Sequence, residues 1–304
     1  MRDAHVYAGN PLDRGERERR DEDWIAGKAE DPSSKVLPLR SLNVLVVNGP
    51  QHTLGWVSPE DLTRLGIDAT PIFLGLLDGV AHFAADVSPF DGAGVLERER
   101  RRFEDARVAA AQLSGPDAGI VAQARAQIYW HDNHGFCSVC GQATSIARGG
   151  QVRRCPSCRA DHFPRTDPVV ITVVRHGERC LLGQSVGRQA ASKMYSALAG
   201  FMDQGESIEE AVAREVMEEA GIRVGDVRYH SSQPWPFPSS LMIGCHADAA
   251  TTEIAKDDVE MTDVRWFERS EVLLALEGKS ETLLVPGPFA IAHHLIKAWA
   301  RGEV

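Results

Sequence analysis

Short apolar runs separated by turn-forming residues mark the chain from Leu42 onward: LNVLVV, then TPIFLGLL, then VAHFAADV ending at Val87. Runs of this length, rich in β-branched and aromatic residues, predict the strands of a small sheet whose order the pattern leaves open. From Leu96 to about His131 the spacing becomes helical, with alanine-rich stretches and an expected break at Gly115-Pro116. Together these elements predict an N-terminal α+β domain over residues 1–130. Ahead of them, RGERERRDEDWIA (Arg14–Ala26) reads as a short amphipathic helix or an arm, its charges solvated. Later, Val169–Val174 fits a buried strand, His176-Gly177 a turn and Cys180–Leu182 a returning strand. Further strands are expected at Val227–Ser231, Leu241–His246 and Val264–Phe267, and a closing helix from about Pro288 to Arg301. Strands and helices thus mix around a central sheet over residues 164–304.

Between these regions lie two Cys-x2-Cys pairs, Cys137/Cys140 and Cys155/Cys158, with fourteen residues between them. The segment is too short for a hydrophobic core of its own and needs a staple. Four thiolates at ~2.3 Å from a tetrahedral Zn²⁺ supply one, and two knuckles at this spacing predict a zinc ribbon over residues 131–163. With four sulfur ligands the site is closed, hence structural; iron on the same thiolates is the alternative. Cys180 and Cys245 stand in apolar contexts and read as small buried residues.

Residues 200–222, GFMDQGESIEEAVAREVMEEAGI, carry the chemistry. Ser207 with Glu210 forms a capping-box start, and Gly221 is a C-terminal stop. At about 100° per residue, Glu215, Glu218 and Glu219 fall within roughly one third of the helix circumference, beside a core-facing sector of Val212, Val216 and Ala220. Three crowded carboxylates repel one another unless cations neutralise them, and hard oxygen ligands suit Mg²⁺ or Mn²⁺. Such an ion grips a diphosphate and activates water. A solvated acidic face is the alternative reading.

Charge and composition narrow little. The net charge of −10 argues against broad nucleic-acid binding without excluding a local basic groove. Apolar runs fall far short of a bilayer span, and the charged first thirty residues hold no secretory pattern, so no membrane partner and a cytoplasmic setting are expected. Gly278-Lys279-Ser280 imitates the end of a P-loop, but Leu273 stands where its first glycine belongs, so a helix-terminal loop is expected. In SQPWPFPSS (Ser232–Ser240) three prolines alternate with Trp235 and Phe237. This stiff segment either offers its rings to a base or plugs them into the core.

The segment 200–222 satisfies the spacing G-x5-E-x7-R-E-U-x-E-E-x-G-U (U aliphatic) at every fixed position, and so resembles the signature of the Nudix hydrolases. The order of cysteine ribbon, this box and SQPWPFP is similar to the NADH pyrophosphatase branch, as are NPLDRGERERRD, WHDNHGFCSVCG and FPRTDP. The resemblance implies an α/β/α sandwich with an N-terminal α+β domain and the ribbon between them. It also implies metal-dependent cleavage of the NAD(H) diphosphate to nicotinamide mononucleotide and AMP, removal of NAD caps from RNA, and a homodimer. Glu215, Glu218, Glu219, the Ala199 carbonyl and Glu260 would hold the catalytic ions, Glu219 also polarising the attacking water. Gln233, Pro234, Trp235, Pro236, Phe237, Pro238, Ser239 and Ser240, with Ala292 and Phe163, would contact substrate. Arg214 would pair with Glu206 and fix the loop. Two positions depart from the pattern: Phe163 stands where Tyr is frequent, and Gly150 where some members carry an acid. Another nucleoside diphosphate such as ADP-ribose, or a catalytically silent NAD- or RNA-binding module, are the alternatives.

Overall fold

The computed structural model describes residues 5–98, 100–187 and 193–304. It divides into two compact units, Met1–Thr166 with Trp235–Ser239, and Asp167–Pro234 with Ser240–Val304.

The first unit runs α1 (Glu22–Glu30), β1 (Lys35–Arg40), β2 (Asn43–Val47), β3 (Thr53–Leu54), α2 (Pro59–Arg64), β4 (Ile72–Leu77), β5 (Val80–Asp86), β6 (Arg101–Glu104), α3 (Ala106–Ala110) and α4 (Gly115–Asn133). The ribbon follows with β7 (Ser145–Ala147), β8 (Val152–Arg154) and β9 (Asp161–His162). Strand order is β3-β2-β1-β5-β4, with β6 beside β2; β1 and β5 are parallel. Ile25 and Leu62 from the helices pack with Val36, Leu45, Phe73 and Phe83 of the sheet.

The expected strands form, and KVLPLR adds one that the apolar pattern did not mark, since Pro38 interrupts it. One helical expectation is corrected: Arg101–Glu104 is a strand, because pairing with Val44–Val47 outweighs the local spacing. The break expected at Gly115-Pro116 falls between α3, which ends at Ala110, and α4, which Gly115 opens; there the Ser114 hydroxyl accepts the Asp117 N–H at 3.2 Å. Proline in a first turn loses only an N–H that would have no intrahelical partner.

The charged run near the N-terminus is corrected as well. Arg19 is fully buried. Its guanidinium donates to the carbonyls of Arg14 (2.7 Å), Phe73 (2.7 Å), Leu74 (3.2 Å), Arg148 (3.3 Å) and Gly149 (3.3 Å), and sits 4.7 Å over the Phe73 ring. Burial lowers its pKa to about 10, which still leaves it charged. The five carbonyls replace the water a cation would otherwise hold. Gly150, next in the chain, has φ +97, and a Cβ there would stand 2.6 Å from Ile72, so an acid at this position is sterically barred.

The second unit contains β10 (Asp167–His176), β11 (Arg179–Ser185), β12 (Leu198–Phe201), α5 (Ile208–Ala220), β13 (Val224–Trp235), β14 (Ser240–Ala249), β15 (Met261–Glu268), α6 (Arg269–Leu276) and α7 (Ile291–Ala300). Strand order is β13-β14-β10-β11-β15, with β12 also on β10. Strand alternation sends Ile171 and Val173 to a core with α6 and α7, and Val170 and Val174 to a second core with α5. The result is a helix–sheet–helix sandwich. Cys180 and Cys245 are wholly buried, and Gly278, with φ +70, ends the turn after α6.

Candidate functional site

Helix α5 holds its acids in place through its own ends. Ser207 and Glu210 form the expected capping box, and Gly221 caps the C-terminus at φ 68. Val212, Val216 and Ala220 are buried against the sheet, so one face is locked and the carboxylates project from the neighbouring sector. Glu219 is 6% exposed, and its Oε2 has no hydrogen-bond partner. Glu215 accepts from Arg214 at 2.7 Å, and the more exposed Glu218 from the same guanidinium at 2.9 Å.

Strand β12 lies across these acids. Leu198 packs into the α5 core, so Gly200 two residues on faces the same helix. A Cβ on Gly200 would lie 2.0 Å from the Glu215 carboxylate; only glycine lets that group sit against the backbone. The loop from strand to helix is fixed by Arg214, which binds Glu206 at 2.6 and 2.8 Å and the Phe201 carbonyl at 2.9 Å. That ion pair, with the Asp203 N–H, lowers the Glu206 pKa to about 2.

The electrostatics fit a cation. Burial, then the charge of Glu215, with smaller contributions from Glu260 and Glu218, pushes Glu219 up to about 8 against a hydrogen bond from the Ala199 backbone. Glu215 is raised too, chiefly by burial. An unpartnered buried carboxylate oxygen among like charges is the environment a hard divalent ion relieves. A carboxyl raised in this way contributes stability below its ordinary pKa of 4.5 and loses it as pH rises through about 8. Cation binding requires the carboxylate, so below about 8 it displaces a proton. Apparent Mn²⁺ affinity should therefore climb by up to about tenfold per pH unit between about 5 and 8, then level off. Calorimetry in two buffers of different ionisation enthalpy would count the proton; an affinity flat over that range would contradict this.

In the first unit the Sγ atoms of Cys137, Cys140, Cys155 and Cys158 lie within 4.8 Å of one another. Cys137 and Cys158 are 3.6 Å apart, Cys140 and Cys155 3.5 Å. Each knuckle directs backbone N–H groups at sulfur: Val139 to Cys137 at 3.4 Å and Cys158 to Cys155 at 3.5 Å. Such donors favour thiolate over thiol, and the set suits zinc.

Three family models match the chain in order: an NADH pyrophosphatase-like rudimentary NUDIX domain at residues 33–130, an NADH pyrophosphatase zinc ribbon domain at 132–163 and a NUDIX domain at 164–284. The chain is 38% identical over 341 residues to the human NAD-capped RNA hydrolase NUDT12, covering 98% of this chain and 73% of that protein. It is 37% identical to the NAD-capped RNA hydrolase NudC of Mycobacterium bovis, over 100% of this chain and 97% of that one. To the human mitochondrial NAD(P)H pyrophosphatase NUDT13 it is 44% identical, over 94% and 89%. The chain belongs to the NADH pyrophosphatase branch of the Nudix hydrolases.

In this Nudix hydrolase the acids Glu215, Glu218 and Glu219 come together with Gly200 and the Ala199 backbone, and the charge of Glu260 reaches Glu215 and Glu219. The substrate-side candidates have occupations that the sequence does not reveal. Gln233 is buried, donating to the Phe289 carbonyl at 2.9 Å and accepting the Ile291 N–H at 2.8 Å, so it closes the N-terminus of α7. Ala292 packs into the α7 core. Phe237 sits edge-on to Tyr7, with the Arg107 guanidinium 3.5 Å and that of Arg125 4.6 Å from its ring centre. Trp235 meets Phe237 edge-to-face, and Arg125 also donates to the Pro236 carbonyl. These rings are held within the first unit. Phe163 remains 64% exposed. Phe201, which the sequence pattern does not single out, is 60% exposed and immediately follows Gly200.

Proposed function

We propose that this enzyme hydrolyses the diphosphate of NAD(H), giving nicotinamide mononucleotide and AMP, and removes the same group from the 5′ end of NAD-capped RNA. The observation that carries the reading is the buried Glu219 carboxylate, one oxygen of which has no hydrogen-bond partner, with the neighbouring Glu215 carboxylate held against the Gly200 backbone. The relatives named for NAD-capped RNA and NAD(P)H support the substrate. Glu215, Glu218 and Glu219, with Glu260 and the Ala199 carbonyl, would hold Mg²⁺ or Mn²⁺. When bound, these ions neutralise the diphosphate and lower the pKa of water.

In hydrolysis the water oxygen adds to one phosphorus, and the bridging oxygen leaves with the other. Glu219 is the residue we assign to orienting that water and taking its proton. Arg214 positions the loop through Glu206 and touches no substrate. Within the second unit, Gln233 and Ala292 act through the seating of α7. The zinc ribbon stabilises the fold and takes no part in turnover. Among the described residues no helix is long and apolar enough to cross a membrane. We extend the family reading to a homodimer acting in the cytoplasm.

Initial rates on NADH, NAD, ADP-ribose and NAD-capped RNA, each with Mn²⁺ or chelator, test the proposal. NAD(H) or capped RNA should be cleaved fastest, and only with metal. Preference for ADP-ribose would reassign the substrate, and no cleavage of any of the four would reduce the chain to a binding module.

A further inference from the structure

Far along the chain from the acidic helix, the first unit carries a cavity of about 490 Å³ that the reaction does not use. Four arginines line it, Arg64, Arg98, Arg100 and Arg101, with Asp61 as the one acid among the described residues. That concentration is unusual in a chain of net charge −10. Its origin is local. Arg101 faces Val47 across the β2–β6 pair, and strand alternation sets it on the same side as Phe103, which packs on the core. Arg102 and Glu104, on the opposite side, pair with each other at 2.6 Å. The Arg100 carbonyl accepts from Asn48 at 2.7 Å, and the Arg101 N–H donates to the Arg98 carbonyl at 2.8 Å, tethering this stretch to the sheet.

Among the described residues, the nearby acids do not cancel this charge. Asp61 spends one oxygen on Arg64 at 3.2 Å and the other on the Ser58 N–H and hydroxyl, as the cap of α2. Glu97 points to Arg40 at 3.7 Å. Among the described residues, Arg98, Arg100 and Arg101 have no ion-pair partner within 4.0 Å. Converging guanidiniums repel one another unless an anion joins them, and their planar forks match phosphate oxygens two at a time.

The lining is not only charged. Val47, Val57, Leu65 and Leu96 also line it, with Val95 39% exposed at its rim. Inorganic phosphate needs neither the volume nor that aliphatic lining. A flat heterocycle against aliphatic side chains, with its phosphate on the arginines, needs both, and the volume lies in the range of small-molecule sites.

We propose that this cavity is a second nucleotide site, taking a nucleoside 5′-phosphate either free or as part of an RNA strand. The test uses the full zinc-loaded chain without added divalent ion, so that hydrolysis is off. AMP binding is followed by calorimetry, and binding of a 5′-phosphorylated ten-nucleotide RNA by fluorescence anisotropy. The double variant Arg64→Gln/Arg101→Gln should weaken one or both by at least tenfold, while Arg228→Gln, a surface arginine paired with Asp248, should not. Loss in the AMP arm alone identifies a free nucleotide; loss in the RNA arm alone, or in both, identifies the strand. Adenosine should bind at least tenfold more weakly than AMP. Zinc content and melting temperature report folding, and should the double variant misfold, Val95→Asp gives the same test by placing a carboxylate at the rim. Unchanged binding in both arms would overturn the site. So would poly-glutamate competing as well as RNA, since the cavity would then be a general anion patch.

Discussion

Glu219→Gln should reduce NADH turnover by at least ~100-fold, the usual scale for removing a general base or a pre-placed electrostatic group. The substitution keeps size and shape, so the loss comes from the charge and the proton-accepting oxygen alone. A second consequence separates this role from a packing role. In the metal-free protein Glu219 is held up to about 8 by burial and by Glu215, so above that pH a buried negative charge burdens the native state. Glutamine removes the burden. Metal-free Glu219→Gln should therefore melt higher than the metal-free parent at pH 9, and no longer gain stability from Mn²⁺ to the same extent. A variant that turns over NADH at near the parent rate, or melts lower at pH 9, would contradict the assignment.

The acidic helix was legible in the sequence because each of its requirements is local. A cap, a stop, a heptad-scale sector of acids and a glycine where a carboxylate meets backbone all fall within 23 residues. The ribbon was legible for the same reason, since thiolate spacing is set by the metal. What stayed hidden depends on partners distant in sequence. Arg19 looks like one charge in a solvated run, yet its ligands lie on β4 and in the ribbon. Arg101–Glu104 has no apolar alternation of its own and becomes a strand through β2. Gln233 reads as part of an aromatic loop, yet both ends of its amide are engaged at the start of α7. Which ring of SQPWPFP faces what was equally undecidable, because Arg107 and Arg125 lie over a hundred positions away from Phe237.

Removing zinc should have the largest effect on stability, and the effect should spread along a defined route. Structural zinc contributes on the order of 10 kcal/mol to small sites of this type, and residues 136–163 hold only short strands besides. One zinc per chain is expected, lost in Cys155→Ser, whose parent sulfur is wholly buried. From the ribbon the disturbance has two paths within the first unit. One is Arg19, whose bonds join Arg148 and Gly149 to Phe73 and Leu74; once the ribbon frays, a buried cation loses two of its acceptors. The other is His131 of α4, held neutral by burial that lowers it to about 4. Its Nε2 lies 3.0 Å from the Gly150 carbonyl and its Nδ1 3.1 Å from Arg153, so ring and ribbon fix each other. Hydrogen exchange after chelation should show protection falling first over 136–163, then over 14–25, 72–75 and the end of α4. Full protection in the ribbon of a zinc-free preparation would show that the thiolates are not its staple. Loss confined to 136–163 would show that Arg19 and His131 do not couple it to the sheet.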